Sequence, residues 1–173
     1  MSDCCEIPGA SIGKRETCPR CGARGKRVPL EAVQAHVTGD ALRNGIPAAP
    51  RFCETRDCPV VYFDSGSEAI IEEPRVNLPV YAKHPDEDTV TVCHCFDFTR
   101  GAVRNRIESD PRSAVSKEIA AEVLAGHCAC EIRNPKGSCC LGDVTRIERD
   151  TLEARQTKER GGIDAAKVPA CHC

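Results

Sequence analysis

Cys93-His94-Cys95 and Cys128-Ala129-Cys130, the latter followed by Asn134-Pro135-Lys136-Gly137 and Cys139-Cys140, place six thiols in two short knots. Thiolates hold soft metal ions and iron–sulfur centres. A [2Fe–2S] cluster needs four converging thiolates, and each knot can supply two. The segment between the knots reads as a helical pair that would bring them together. Residues 92–144 are therefore read as a [2Fe–2S] site. Adjacent cysteines point their side chains apart, so one of Cys139 and Cys140 is expected to ligate, while Cys128 competes with Cys130. The residues alone leave both choices open.

A second constellation lies upstream. Cys18-Pro19-Arg20-Cys21-Gly22 is a Cys-x-x-Cys knuckle whose glycine permits the tight turn that aims backbone N–H groups at sulfur. After a 31-residue excursion come Cys53 and Cys58, followed by the β-rich run Pro59-Val60-Val61-Tyr62-Phe63. Two cysteine pairs of this kind are the usual frame of a small zinc ribbon, and four thiolates close a tetrahedral structural site. Cys18, Cys21, Cys53 and Cys58 are the expected zinc ligands, preferred over a mononuclear iron centre or free thiols. His36, alone on a half-apolar segment, is expected to pack rather than to ligate. Cys4-Cys5 near the start is a candidate for capturing Cu(I) or Hg(II), and Cys171-His172-Cys173 at the end for Cu(I) or Zn(II), with incidental thiols as the plainer reading of both.

The elements that must position these groups follow from pattern. Residues 31–37 suit a helical turn or two, and residues 59–63 a strand. Residues 64–88 read as one or two edge strands and an acidic, proline-containing linker. Thr99 can cap a helix to about Ser109 that buries Val103 and Ile107, and Asp110-Pro111 breaks it. Ser113 is expected to cap a second helix, with Val115, Ile119, Val123 and Leu124 inward, stopped by Gly126. Asn134-Pro135-Lys136-Gly137 should fold its loop back on itself. A third helix begins near Cys140, with Leu141, Val144, Ile147 and Leu152 inward, and its positive N-terminus would favour thiolate and cluster charge. The expected class is α+β. A tail at 1–17 precedes a zinc-ribbon-like β-rich domain at 18–88, a helical [2Fe–2S] domain at 89–155 and a tail at 156–173.

Composition agrees. With no Trp, two Tyr and four Phe, and a mean hydropathy of −0.36, the chain has little material for a large core. Small domains of this kind need staples, and the fourteen cysteines can supply them. Met1 is followed by polar Ser-Asp-Cys-Cys without a basic start or apolar core, so a cytoplasmic protein using its thiols for metal is expected. No apolar run is long enough for a membrane span. The net charge of −2 and lack of basic runs give no support for nucleic-acid binding. No nucleophile with an activating base is evident, so hydrolase or transferase chemistry is not indicated.

Taken in order, these features resemble the N-terminal domain of the CopZ copper-chaperone family. The matching residues are Cys18-Pro19-Arg20-Cys21, Val28-Pro29-Leu30, Ala35-His36-Val37, Phe52-Cys53 to Cys58 with Val60-Val61-Tyr62-Phe63, Cys93-x-Cys95, and Cys130-x-x-x-Asn134-Pro135-x-Gly137-x-Cys139-Cys140. They span roughly residues 18–147. The resemblance implies a zinc domain followed by a [2Fe–2S] domain similar to bacterioferritin-associated ferredoxin (BFD-like). It implies Cys18, Cys21, Cys53 and Cys58 on zinc and Cys93, Cys95, Cys130 and Cys140 on the cluster. Cys128 and Cys139 are then spare thiols, bystanders or copper acceptors. A complete CopZ continues into a heavy-metal domain with a Met-x-Cys-x-x-Cys loop. Here Met1 is the only methionine and residues after 150 do not read as that domain, so the resemblance is to the cluster-bearing half.

The expected function is one-electron transfer in copper or other soft-metal homeostasis. The resemblance implies reduction of Cu(II) to Cu(I), with an external electron donor and a copper chaperone or copper-exporting ATPase as partners. One rival reading is a Cu(I)- or Hg(II)-sequestering protein using the terminal cysteines. Another is a ferredoxin-like partner of an unrelated reductase. The plainest is an interaction module with zinc at both sites.

Overall fold

The computed structural model describes residues 16–164. It is an α+β protein in which a four-stranded antiparallel sheet is followed by a helical half. Among the described residues no helix is long and apolar enough to cross a membrane.

The sheet is ordered β1 (Lys26–Arg27), β2 (Pro50–Phe52), β3 (Val60–Asp64) and β4 (Ile70–Glu72). Every residue of β2 and β3 is buried, because core lies on both faces. One face carries Phe52, Val61, Tyr62 and Ile71 against Val28, Ala32 and Val33. The other carries Val60 and Phe63 against Cys18, Cys53 and Cys58. A strict strand would alternate, but Val61 and Tyr62 share a face. The register shift between Val60 and Tyr62 against β4 accounts for it, since a bulge rotates the residues that follow. Three of the six Phe and Tyr residues, Phe52, Tyr62 and Phe63, are fully buried in this sheet. Truncating Phe52 or Phe63 to Ala would cost roughly 3–5 kcal/mol.

Two short helices bridge β1 and β2. α1 (Leu30–His36) buries Ala32, Val33 and His36. α2 (Gly39–Arg43) is capped by Thr38, whose hydroxyl accepts the Ala41 N–H. The linker after the sheet is packed: Val80 joins the first core, whereas Tyr81 rests against the second. His84 lies between Glu73 at 2.5 Å and Glu87 at 2.8 Å.

The helical half opens on a small hairpin of β5 (Thr91–Cys93) and β6 (Phe98–Thr99). α3 (Arg100–Ser109) starts as expected, with the Thr99 hydroxyl accepting the Ala102 N–H, and buries Val103 and Ile107. α4 (Val115–Leu124) departs from expectation at both ends. Ser113 does not cap it, since Ala114 holds that position. The buried Glu148 carboxylate caps it instead, accepting the Ser116 N–H at 2.9 Å and hydroxyl at 2.6 Å. A carboxylate from another helix meets the positive end of α4. Leu124 is 90% exposed, because the Val115, Ile119 and Val123 stripe faces inward and the next residue lies a further 100° around. Gly126, at φ +79°, ends α4 as expected, with the Gly126 and His127 N–H groups donating to Val123 O and Glu122 O.

α5 (Cys130–Arg133) is a single turn that the sequence did not announce. α6 (Leu141–Asp164) packs on α3 and α4, with Val144 and Ile147 buried and Leu141 and Leu152 half-buried. It continues past residue 156, where a tail was expected. Glu148→Ala is expected to destabilise the protein by about 1–3 kcal/mol through the lost cap. Thermal unfolding, read by circular dichroism, should show a fall in Tm of several degrees.

Candidate metal centres

The first centre is built from two turns on one side of the sheet. The knuckle is a closed hairpin: Thr17 pairs with Arg24, Gly22 takes φ +74°, and Cys18 N–H donates to Ala23 O. Arg51 of β2 clamps both ends of this hairpin from beneath, donating to Gly25 O at 2.9 Å and to the Glu16 carboxylate at 3.0 Å. Gly25 has to be glycine, since a Cβ there would meet the Phe63 ring at 2.4 Å. Backbone N–H groups of Ala23, Thr55 and Val60 then donate to the sulfurs of Cys21, Cys53 and Cys58. Each donor lies two residues beyond its cysteine, which is the geometry anticipated for Cys21.

The sulfurs of Cys18, Cys21, Cys53 and Cys58 all lie within 4.8 Å of one another. Cys18 and Cys58 are 3.8 Å apart, and Cys21 and Cys53 are 3.6 Å apart. A tetrahedral ion with Zn–S bonds of about 2.3 Å sets its sulfurs about 3.8 Å apart. The donor set therefore fits Zn2+. Thr55, with its hydroxyl 3.4 Å from Cys21, lowers that thiol to about 6. Burial raises Cys53, and raises Cys58 to about 12. A metal arriving here displaces protons from the buried pair.

Four thiolates on Zn2+ carry excess negative charge. One cation that answers it is the buried Lys83, which donates to Thr55 O at 2.8 Å and favours the Cys53 thiolate. Neither Arg51 nor Lys83 was singled out from sequence. Each is a lone basic residue outside the cysteine motifs, and only its burial and its hydrogen bonds identify it.

The second set of cysteines forms two pairs. Cys93, Cys130 and Cys140 are buried and Cys95 is half-buried. Cys95 and Cys130 are 3.7 Å apart, and Cys93 hydrogen-bonds Cys140. Each pair joins one thiol from each knot. Among the described residues only the first set meets as a cage with all its ligand atoms within 4.8 Å. The hydrogen bond with Cys140 lowers Cys93 to about 6, and the same bond with burial raises Cys140. Burial raises Cys130 to about 12. N–H groups of Cys95 and Phe96 donate to Cys93, that of Ala129 to Cys95, and that of Cys140 to Cys130.

The loop that carries Cys130 and Cys140 folds as expected. Asn134 Oδ1 accepts the Lys136 N–H, Asn134 O accepts the Gly137 N–H, and Gly137 takes φ +62°. Lys136 pairs with Asp143 on α6. Cys139 is exposed and Cys128 half-buried, both outside the two pairs. All ten described cysteines are free thiols. Cys4, Cys5, Cys171, His172 and Cys173 lie outside the described residues.

Comparison with known proteins agrees with the first centre. Residues 15–77 match the zf_CopZ family, a zinc-binding domain. No curated protein matches the chain. The chain is similar to the X-ray structure of the Archaeoglobus fulgidus CopZ N-terminal domain, with 27% identity and a TM-score of 0.62. The similarity covers 76% of this chain and 96% of that one. Over residues 15–77 the chain therefore carries a zinc-binding domain related to that of CopZ, with a four-cysteine cage suited to Zn2+.

Proposed function

We propose that the chain is a zinc and [2Fe–2S] protein that transfers single electrons in copper homeostasis. The observation that carries this reading is the pairing of Cys93 with Cys140 and of Cys95 with Cys130. Two thiolates on each of two irons is what a [2Fe–2S] group requires, whereas a single zinc ion requires one four-sulfur cage. Cys93, Cys95, Cys130 and Cys140 would hold the group. It would supply a one-electron couple, and reduction of Cu(II) to Cu(I) is the use that the resemblance to copper chaperones suggests.

The chain's own part is to bury three of these sulfurs and to aim N–H donors at them. Both set the potential of such a centre. The amino end of α6, directly after Cys140, adds positive potential that favours the reduced state. Zinc holds the first half together. The proposed setting is the cytoplasm, where thiols stay reduced. The proposed partners are an electron donor and a copper chaperone or copper-exporting ATPase.

The test is a titration of dithionite-reduced, desalted protein with Cu(II) beside a Cu(I)-selective chelator. About one Cu(I) should appear per cluster as the visible bands of the oxidised protein return. Cys140→Ser protein should show neither the bands nor the rapid Cu(I) signal. An equal yield from Cys140→Ser would mean that free thiols reduce the copper, and would overturn the proposal.

A further inference from the structure

The loop between Cys130 and Cys140 does not rest on the helical half alone. Three of its backbone positions are fixed by the zinc-binding half. His36, at the end of α1, has its Nε2 3.1 Å from Ile132 O. A carbonyl can only accept, so Nε2 carries the proton. Burial lowers the imidazole's pKa and keeps the ring neutral. Tyr62 in β3 is fully buried and donates its hydroxyl proton to Pro135 O at 2.7 Å. At Gly137 the loop lies so close to the first half that a Cβ would meet Pro29 Cδ at 2.5 Å and Val28 Cγ1 at 2.9 Å. α1 packs against α5, whose first residue is Cys130.

These contacts all lie between the two thiols. Ile132 lies two residues past Cys130, and Gly137 three before Cys140. A four-residue helix has too few internal hydrogen bonds to hold Cys130 in a fixed place. Cys140, whose carbonyl opens α6 by accepting the Asp143 and Val144 N–H groups, takes its approach from the turn before it. A buried phenol and a buried imidazole have to find acceptors, and both find them on this loop. On the other side, the His36 ring lies 6.1 Å from that of His94, which sits between Cys93 and Cys95.

We infer that His36 and Tyr62 are positioning residues for the second metal centre: the zinc-binding half acts as the jig that sets where Cys130 and Cys140 stand. The inference rests on the proposed [2Fe–2S] site for its functional meaning. The placement of the two thiols can be measured without iron.

The variants are Tyr62→Phe, His36→Ala and His36→Gln, the last placing an amide donor near the position of Nε2. In full-length, iron-free, zinc-loaded protein, iodoacetamide labelling of Cys130 and Cys140 is followed by mass spectrometry. Tyr62→Phe and His36→Ala should label on the order of tenfold faster than the parent, because a loop carbonyl, buried at Pro135 and part-buried at Ile132, is left without its donor. His36→Gln should return towards the parent rate, and Cys139, already exposed, should label equally in all. Zinc content should stay at the parent value throughout. In iron-reconstituted protein the same two variants should lose visible absorption about tenfold faster under an iron chelator, with a shifted midpoint potential.

Unchanged labelling of Cys130 and Cys140 in both variants would overturn the inference. Loss of zinc by both would do so as well, since the two residues would then be supporting the first half instead. If the parent takes up no iron while labelling responds as expected, the [2Fe–2S] reading fails and the positioning role stands.

Discussion

Cys53→Ser is expected to leave the protein without zinc and with its first half unfolded. Cys53 is 1% exposed and sits at the centre of the packing that joins the cage to Val60 and Phe63. A serine hydroxyl is a poor ligand for Zn2+, and here it would also be a buried polar group. Structural zinc contributes about 10–16 kcal/mol of apparent folding free energy in small domains. The net stability of a whole domain is only about 5–15 kcal/mol. Losing most of the first term leaves nothing to hold a four-stranded sheet whose strands are two to five residues long. Zinc per chain and far-ultraviolet circular dichroism check this. A variant that keeps zinc and melts within a few degrees of the parent would show that three thiolates suffice.

The second large effect separates neighbours. Cys140→Ser and Cys130→Ser are expected to abolish the visible absorption of the anaerobically purified protein, while Cys139→Ser and Cys128→Ser retain it. Cys140 is buried and hydrogen-bonded to Cys93, and Cys130 is buried beside Cys95. Cys139 points to solvent. Zinc should stay at about one per chain in all four variants. Loss of colour in Cys139→Ser with colour kept in Cys140→Ser would reverse the ligand assignment.

The features that could be read from sequence are the ones whose causes are local. The knuckle around Cys18 and Cys21, the Thr99 cap, the Gly126 stop and the Asn134–Gly137 turn each depend on a few consecutive residues. The zinc set was legible for the same reason, because each cysteine pair with its turn is a short motif. The rest depends on partners far along the chain. Glu148 caps α4 from 32 residues away. Arg51 clamps Gly25 across 26 residues, and Lys83 reaches Thr55 across 28. Tyr62 and His36 find their acceptors 73 and 96 residues on. A hydrophobic pattern shows that Tyr62 is buried, but not where its hydroxyl goes. Leu124 was misplaced because an apolar residue at the edge of a stripe satisfies the pattern without facing the core.

The most direct test is the metal content of anaerobically purified protein, measured with acid-labile sulfide and with visible spectra before and after dithionite. The expected result is about one zinc, about two irons and about two sulfides per chain, with visible bands that bleach on reduction. Zinc without visible absorption, from cells well supplied with iron, would contradict the electron-transfer reading and leave a zinc-binding protein related to CopZ.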